Sequence, residues 1–202
     1  MNIQSISIAE NHRREKMGDK RDAILKATLS LVSENGFHGT PMSKIAAEAG
    51  VSAGIIYHYF ENKEDLIDEL YKKLKIDLAQ AMMDDYLEDL PLHERFRRIW
   101  RNTIRYYMVH PQETAFMEQY ANSPYMKPEA EAAAMEYFEP VLAFMEYARQ
   151  QGVVKDMSDE MMAAFTLETA ILLAKKHTSG RLVMDETAIE LAVDASWDAI
   201  KR

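Results

Sequence analysis

The chain has 202 residues, of which 48% are hydrophobic and 28% charged, proportions that are typical of a folded globular protein. It contains no cysteine, which excludes a disulfide framework and a thiolate metal site and favours a reducing compartment. The apolar runs are shorter than the roughly 18–20 residues that span a bilayer, and the first residues do not resemble a signal peptide. We therefore expect a cytoplasmic protein that does not bind membranes.

The net charge of −9 is unevenly distributed along the chain. Residues 1–60 hold seven Lys/Arg and six Asp/Glu, a net of +1, whereas residues 61–202 hold 17 Lys/Arg and 27 Asp/Glu, a net of −10. An acidic total argues against nucleic acid as a partner, but the local charge is what a binding surface presents. The first sixty residues therefore stay eligible for nucleic-acid binding.

Helix-forming residues dominate, and nothing alternates with a period of two, so the pattern predicts an all-α fold. Residues 1–17 are predicted to form a flexible arm. Its basic residues Arg13, Arg14 and Lys16 either enter a minor groove of DNA or only solubilise the chain. A first helix is predicted from about Asp19, because apolar residues follow helical spacing from there up to an Asn-Gly stop signal.

Two short helices are predicted next, over residues 42–49 and 53–59. Thr40 is expected to cap the first of them. Gly50 supplies a tight turn between the two helices, and Val51 is expected to anchor that turn in the core. Two short helices joined in this way form a helix-turn-helix, whose second helix lies in the major groove of DNA.

The start of the second short helix is built from small residues. Ser52, Ala53 and Gly54 let the helix N-terminus approach base edges and phosphates, and its N–H groups and positive dipole end favour phosphate oxygens. Ile55 is either in contact with a thymine methyl group or half-buried. The helix carries no Arg, Asn or Gln for bidentate base contacts, so specificity would depend on aromatic and apolar contacts, DNA shape and the arm.

A fourth helix is predicted to begin at Asn62, with Asp65 as its capping-box partner. This longer helix links an N-terminal helix-turn-helix domain, residues 18–66, to a larger helical domain, residues 67–202. The larger domain is predicted to bind a ligand and to dimerise.

The stretch RDAILKATLSLVSENGFHGTPMSKIAAEAGVSAGIIYHYFENKEDLIDELY, residues 21–71, resembles the DNA-binding domain of the TetR family of bacterial one-component repressors. The resemblance rests on AGVS at the turn, on the YHYF ending and on the NKEDL that follows. It implies a homodimer with an N-terminal reading head and a variable C-terminal ligand domain. It also implies that Tyr57 and His58 face phosphates or a base edge, while Phe60 and part of Tyr59 pack inward.

The same resemblance implies that Lys63 pairs with a phosphate and that Thr40 and Ser43 anchor the first short helix on the DNA backbone. The predicted DNA-binding residues are Thr40, Ser43, Ser52, Ala53, Gly54, Ile55, Tyr57, His58 and Lys63.

The C-terminal two-thirds carry methionine and aromatic residues at helical spacing. Each such residue alone is typical of an ordinary core, but together they suit an adaptable apolar cavity. The predicted ligand-binding residues are Trp100, Thr103, Tyr106, Tyr107, Phe116, Tyr120, Tyr137, Phe144 and Phe165.

The pattern IW…RYYMVHPQETAF…SPYMKPEAEA is similar to the C-terminal domains of TetR-family repressors that control multidrug efflux pumps. It implies a hydrophobic effector of aromatic or cationic type, for which Glu113, Glu118 or Glu136 would balance the charge. A fatty-acyl-CoA or another lipid metabolite is the alternative effector. The side chains that would form a basic mouth for it, or else a plain exposed face, are Arg95, Arg97, Arg98, Arg101 and Arg105.

Small residues follow one another along the last two predicted helices, near 158–178 and 186–201, and permit close helix–helix approach. Examples are Ala170 and Ala174 on one helix and Ala188 on the other. The resemblance assigns these two helices to the homodimer interface, and packing within one chain is the alternative.

The sequence shows no metal-ligand spacing, no phosphate-binding glycine loop and no nucleophile motif, so we expect no metal, no cofactor and no enzymatic activity. The leading hypothesis is a repressor that a hydrophobic small molecule releases from a pseudo-palindromic operator. The rival from another class is a helical ligand-binding protein that no longer binds DNA.

Overall fold

The computed structural model describes the backbone of residues 3–202 and the side chains of residues 18–202. Over this range the chain is helical, and its only β-type pairing is an antiparallel bridge between Val154 and Lys201. The predicted all-α fold is confirmed. The helices are α1 (Ile3–Asn35), α2 (Met42–Glu48), α3 (Ala53–Tyr59), α4 (Lys63–Met82), α5 (Leu92–Val109), α6 (Pro111–Ala121), α7 (Pro128–Met135), α8 (Glu139–Gln150), α9 (Asp159–Phe165), α10 (Leu167–Thr178) and α11 (Glu186–Ile200).

The chain divides into two compact units. The head unit comprises residues 1–72 and 115–126, and the bundle unit comprises residues 73–114 and 127–202. The sequence predicts a single boundary after residue 66, whereas the structure divides α4 after residue 72 and returns a second segment to the head unit. The side chains of the predicted arm lie outside the described residues. None of the described helices has the length and apolar character that crossing a membrane requires.

The core of the head unit is formed by apolar residues from α1, α3 and α4. Ile24, Leu25 and Val32 of α1 are at most 1% exposed, and Ile56 of α3 and Leu66 of α4 are fully buried. The helical spacing places these side chains on one face of each helix. Both α2 and α3 pack against α1, so the longer helix holds the two short ones in place.

The turn between α2 and α3 depends on Gly50, whose φ is +64°. Only glycine adopts this left-handed conformation at little cost. The Val51 N–H donates to the Ala46 carbonyl at 3.0 Å, and the Gly50 N–H donates to the Ala47 carbonyl at 3.2 Å. This is the Schellman pattern that satisfies the last carbonyls of a helix. Val51 is half-buried and not the fully buried anchor that the sequence suggests.

The predicted capping of α4 is confirmed. The Asn62 side-chain oxygen accepts from the Asp65 N–H at 2.8 Å, which satisfies one of the free donors of the first turn. The Asp65 carboxylate in turn accepts from the Glu61 N–H at 2.9 Å. The reciprocal bond therefore reaches the residue before the cap, which ties the end of the preceding loop to the helix.

The predicted capping of α2 by Thr40 is wrong. The N-cap position is occupied by Pro41, which makes no side-chain capping bond. Thr40 is fully buried, and its hydroxyl donates to the Gly36 carbonyl at 2.9 Å. A buried hydroxyl needs a hydrogen-bond partner, and the Gly36 carbonyl provides it.

In the bundle unit, α5 packs against both α10 and α11. Phe96, Trp100, Thr103 and Tyr107 lie three or four residues apart on its buried face. On α10, Ala170 and Ala174 are fully buried. Their small size therefore serves packing within the chain, as the alternative interpretation of the alanine pattern holds.

The helix predicted near 158–178 is divided into α9 and α10 at Thr166, whose φ of −120° and ψ of −89° are not helical. The Thr166 hydroxyl donates to the Met162 carbonyl at 2.6 Å. The Trp100 indole N–H donates to the Thr166 carbonyl at 3.0 Å. A buried indole N–H needs an acceptor, and the main chain at this break provides it.

Replacing Asn62 by alanine should lower the free energy of unfolding by about 1 kcal/mol, because α4 loses its capping bond. Ser52→Ala is the matched control, since Ser52 occupies the N-cap of α3 without a capping bond and is exposed. Urea titration followed by circular dichroism measures both variants. Equal losses in the two variants would contradict the assignment.

Candidate functional site

The outward face of α3 carries the residues that the sequence predicts for DNA binding. Ser52, Ala53, Gly54, Tyr57 and His58 are exposed, with Tyr57 at 56%. They lie within residues 52–58, where only Ile55 and Ile56 are not exposed. We call this set the reading face.

The opposite side of α3 points into the head unit, with Ile56 fully buried and Phe60 1% exposed. Ile55 and Tyr59 are half-buried, and the Tyr59 ring packs edge-on against His58, with centroids 5.3 Å apart. The division of the aromatic cluster therefore follows the predicted pattern. Buried neighbours hold the helix, and so the exposed side chains have a defined orientation.

The α2 side contributes Ser43, which is exposed, but not the side chain of Thr40. Because Thr40 is buried and already bonded to Gly36, its hydroxyl is not available to a phosphate. Lys44, which the sequence analysis does not single out, is exposed beside Ser43, and its ammonium donates to the Gly39 carbonyl at 3.3 Å. A lysine next to a predicted phosphate contact is the signal that would have identified it.

Lys63 is half-buried at the start of α4, where its ammonium donates to the Phe37 carbonyl. Burial lowers the pKa of Lys63, and the neighbouring Glu64 partly opposes this. The ammonium therefore joins the start of α4 to the turn after α1. Its predicted contact with a phosphate stays a prediction.

The bundle unit contains a small, partly open apolar cavity of about 90 Å³, here called the apolar cavity. Two of the predicted ligand-binding residues, Trp100 and Phe144, line it. Other lining side chains are Phe96, Val141, Met162 and Leu167. A volume of this size holds about three water molecules, which is below the ~300–1,000 Å³ of a usual small-molecule site.

Tyr106 lies elsewhere in the bundle unit, in an open groove with Asp77, Asp84 and Glu113. Its ring stacks on His110, with centroids 4.4 Å apart. Burial raises the pKa of Tyr106, and the negative charge of Asp77 raises it further. Of the three glutamates predicted to balance a cationic ligand, Glu113 is in this groove, bonded to His110 at 3.1 Å. Glu118 belongs to the head unit, and Glu136 is exposed.

Phe116 and Tyr120 are not part of a ligand cavity in the bundle unit, because both belong to the head unit. Phe116 packs edge-on against Phe37, with centroids 5.6 Å apart. Tyr120 stacks on Tyr71 at 4.1 Å, and its hydroxyl donates to Asp68 at 3.0 Å. The helical spacing does place Phe116 and Tyr120 on one face of α6, but both residues pack within the head unit and not around a ligand cavity.

The remaining four predicted ligand residues differ in their surroundings, since two are buried on α5 and two are exposed elsewhere in the bundle unit. Thr103 is buried and its hydroxyl donates to the Ile99 carbonyl at 2.7 Å, and Tyr107 is buried beside Tyr106. Tyr137 and Phe165 are 38% and 45% exposed. None of these four residues lines the apolar cavity.

Four of the five arginines of α5 do not form a mouth to a cavity, and the fifth, Arg95, is a buried residue in the lining of an open groove. Arg97 and Arg101 both pair with Glu190 of α11, and Arg105 pairs with Glu186 of the same helix at 2.6 Å. Arg98 donates to the Asp85 carbonyl, and Arg95 contacts aromatic rings. The arginine row therefore forms an ion-pair ladder between α5 and α11, which the spacing of one helix alone could not reveal.

The head and the bundle each match a known family. Residues 24–70 match the family described as bacterial regulatory proteins, tetR family, and residues 91–201 match the tetracyclin repressor-like C-terminal domain.

The chain belongs to the TetR family. A crystal structure of a TetR-family regulator from Marinobacter aquaeolei is 28% identical, with a TM-score of 0.89 over 93% of this chain and 98% of that one. A TetR-family protein from Vibrio parahaemolyticus is 33% identical, with a TM-score of 0.79 over 91% and 99%. An HTH-type transcriptional regulator of Haemophilus influenzae is 26% identical over 94% of this chain and all of its own length. The protein is accordingly a TetR-type DNA-binding transcriptional regulator.

Truncating a buried side chain of α3 should lower the free energy of unfolding, whereas truncating an exposed one should leave it nearly unchanged. Ile56→Ala should cost about 2–5 kcal/mol of unfolding free energy, because it opens a cavity in the head core. Tyr57→Ala should change that free energy by at most about 0.5 kcal/mol, because the side chain is exposed. Chemical denaturation measures both values. A large loss for Tyr57→Ala would mean that Tyr57 is structural.

Proposed function

We propose that this TetR-family regulator is a repressor that binds a pseudo-palindromic operator as a homodimer and is released by a hydrophobic small molecule. The observation that carries this proposal is the reading face, where small and aromatic residues are exposed while Ile56 and Phe60 fix the helix from behind.

On this proposal, α3 lies in the major groove. Ser52, Ala53 and Gly54 allow its first turn to approach the DNA closely, and Tyr57 and His58 contact phosphates or a base edge. Ser43, Lys44 and the half-buried Lys63 contribute phosphate contacts from α2 and α4. Two heads of a dimer would read half-sites about 34–36 Å apart.

The effector is proposed to bind in the bundle unit, where the apolar cavity is lined almost entirely by apolar side chains. Its one charged lining residue is Asp159, whose side chain is 82% exposed. The cavity would have to widen to accept a drug-sized molecule, and methionine and phenylalanine side chains in its wall are able to repack. The pairing of Arg97, Arg101 and Arg105 with α11 argues against a mouth for the phosphates of an acyl-CoA.

The homodimer is proposed to form through α10 and α11. Leu172 on α10 and Leu191 on α11 are 55% and 71% exposed. Large exposed apolar side chains on two helices that both pack against α5 support a surface that a second copy covers. The buried alanines of α10 do not contribute to it.

Operator binding tests the reading face directly. DNA fragments selected from the chromosome by the purified protein serve as the operator, and fluorescence anisotropy at fixed salt measures affinity. Tyr57→Ala should weaken binding about tenfold or more, whereas Tyr137→Ala, which truncates an exposed tyrosine of the bundle unit, should leave it unchanged. Equal affinity of the Tyr57 variant and the unmodified protein would refute the assignment of the face.

Dimerisation can be tested by sedimentation. Leu191→Glu should convert the dimer to a monomer, because it buries an unpaired charge in the interface. Leu87→Glu is the matched control, since Leu87 is 50% exposed in the loop between α4 and α5. A dimer that survives Leu191→Glu and Leu172→Glu together would place the interface elsewhere.

A further inference from the structure

We propose that an open groove of the bundle unit, here called the Arg95 groove, binds a monocarboxylate with an apolar body and that Arg95 holds its carboxylate. The groove has a volume of about 510 Å³. Its lining includes Met83, Tyr86, Arg95, Ala143, Phe144 and Tyr147. The groove is thus large enough for a small ligand without rearrangement, whereas the apolar cavity is too small.

The environment of Arg95 is the first observation behind the proposal. The residue is only 9% exposed, and its guanidinium carbon lies 5.0–5.4 Å from the ring centroids of Tyr86, Phe144 and Tyr147. Among the residues whose side chains are described, no carboxylate lies within 4.0 Å of the guanidinium. Buried arginines are usually paired, because an unpaired buried charge is costly.

The hydrogen bonds of Arg95 show where an anion would bind. The Tyr86 hydroxyl accepts from both Nε and Nη2 of Arg95, at 2.7 Å for the bond from Nε. A guanidinium has five N–H donors in a planar fork, so both hydrogens of Nη1 and one of Nη2 remain. That edge matches the two oxygens of a carboxylate, and the rings of Phe144 and Tyr147 lie beside the guanidinium.

The charge of the groove limits the ligand to one negative charge. Glu88 and Glu139 also line it, both are exposed, and neither forms an ion pair with Arg95. Because these two carboxylates are exposed to solvent, their repulsion of an anion is screened, but it grows with each negative charge of the ligand and so disfavours a ligand with several. A monocarboxylate needs one charge-assisted bidentate contact, and Arg95 supplies it.

The apolar body of the ligand has a place to extend. Phe144 lines both the Arg95 groove and the apolar cavity beside Trp100. Its ring packs edge-on against Tyr86, with centroids 6.3 Å apart. A rotation of this one side chain would join the two spaces, so that an alkyl or aryl tail passes from the carboxylate end into the apolar cavity.

This inference deepens the proposed function by naming an effector class, and it is tested on DNA-free protein so that the two can fail separately. Isothermal titration calorimetry of the full chain with octanoate, octan-1-ol and octylammonium compares three head groups on one tail. Octanoate should bind about tenfold or more tightly than either octan-1-ol or octylammonium, because only the carboxylate forms the bidentate contact with Arg95. Equal binding of octanoate and octan-1-ol would overturn the proposal, and this comparison depends on no variant.

Variants then locate the contact. Arg95→Met should weaken octanoate binding about tenfold or more with little effect on octan-1-ol, and Arg95→Lys should give an intermediate loss, because it keeps the charge without the fork. Arg105→Met is the matched control, since Arg105 is an exposed arginine of the same helix and should leave binding unchanged. Unaltered octanoate binding in a folded Arg95→Met protein would overturn the proposal. Operator binding by the protein without octanoate, measured separately, tests the proposed function alone.

Discussion

The buried indole of Trp100 constrains the whole bundle unit. Its ring is fully buried on α5, and an indole N–H without an acceptor in such a place would cost about 1–3 kcal/mol. The acceptor is the Thr166 carbonyl at the break between α9 and α10. The same break lies in the wall of the apolar cavity, between Met162 and Leu167, so one hydrogen bond links the course of the main chain to the shape of that cavity.

The head unit satisfies a different requirement, which is to hold a short helix firmly while leaving one side of it bare. Seven residues of α3 are too few to be stable alone, so its orientation comes from packing. The Schellman turn at Gly50, the buried Ile56 and the capped start of α4 provide that packing. The acidic character of the chain does not interfere, because the excess of negative charge lies beyond residue 60.

The sequence predicts local features well where they depend on neighbours in the chain. The bounds of α3, the turn at Gly50 and the cap at Asn62 follow from side-chain chemistry within a few residues. The failures are of another kind. Helical periodicity shows which side chains of α6 are buried but not that Phe116 and Tyr120 are covered by the head unit, and the spacing of arginines on α5 does not reveal the carboxylates of α11. Thr40 shows that a residue suited to capping can instead be buried, with its hydroxyl donating to a carbonyl of the preceding turn.

Two glycines near the reading face differ in what they allow over evolutionary time. At Gly50 an added Cβ would meet nothing within 4 Å, so the restriction lies in φ alone, and asparagine or aspartate can replace glycine there at modest cost. At Gly39 the φ is not in the left-handed region, yet an added Cβ would approach the Asn35 carbonyl oxygen to 2.4 Å. Substitution of Gly50 is therefore limited to the few residues that tolerate a positive φ, whereas at Gly39 any side chain would collide with the main chain at the C-terminal end of α1.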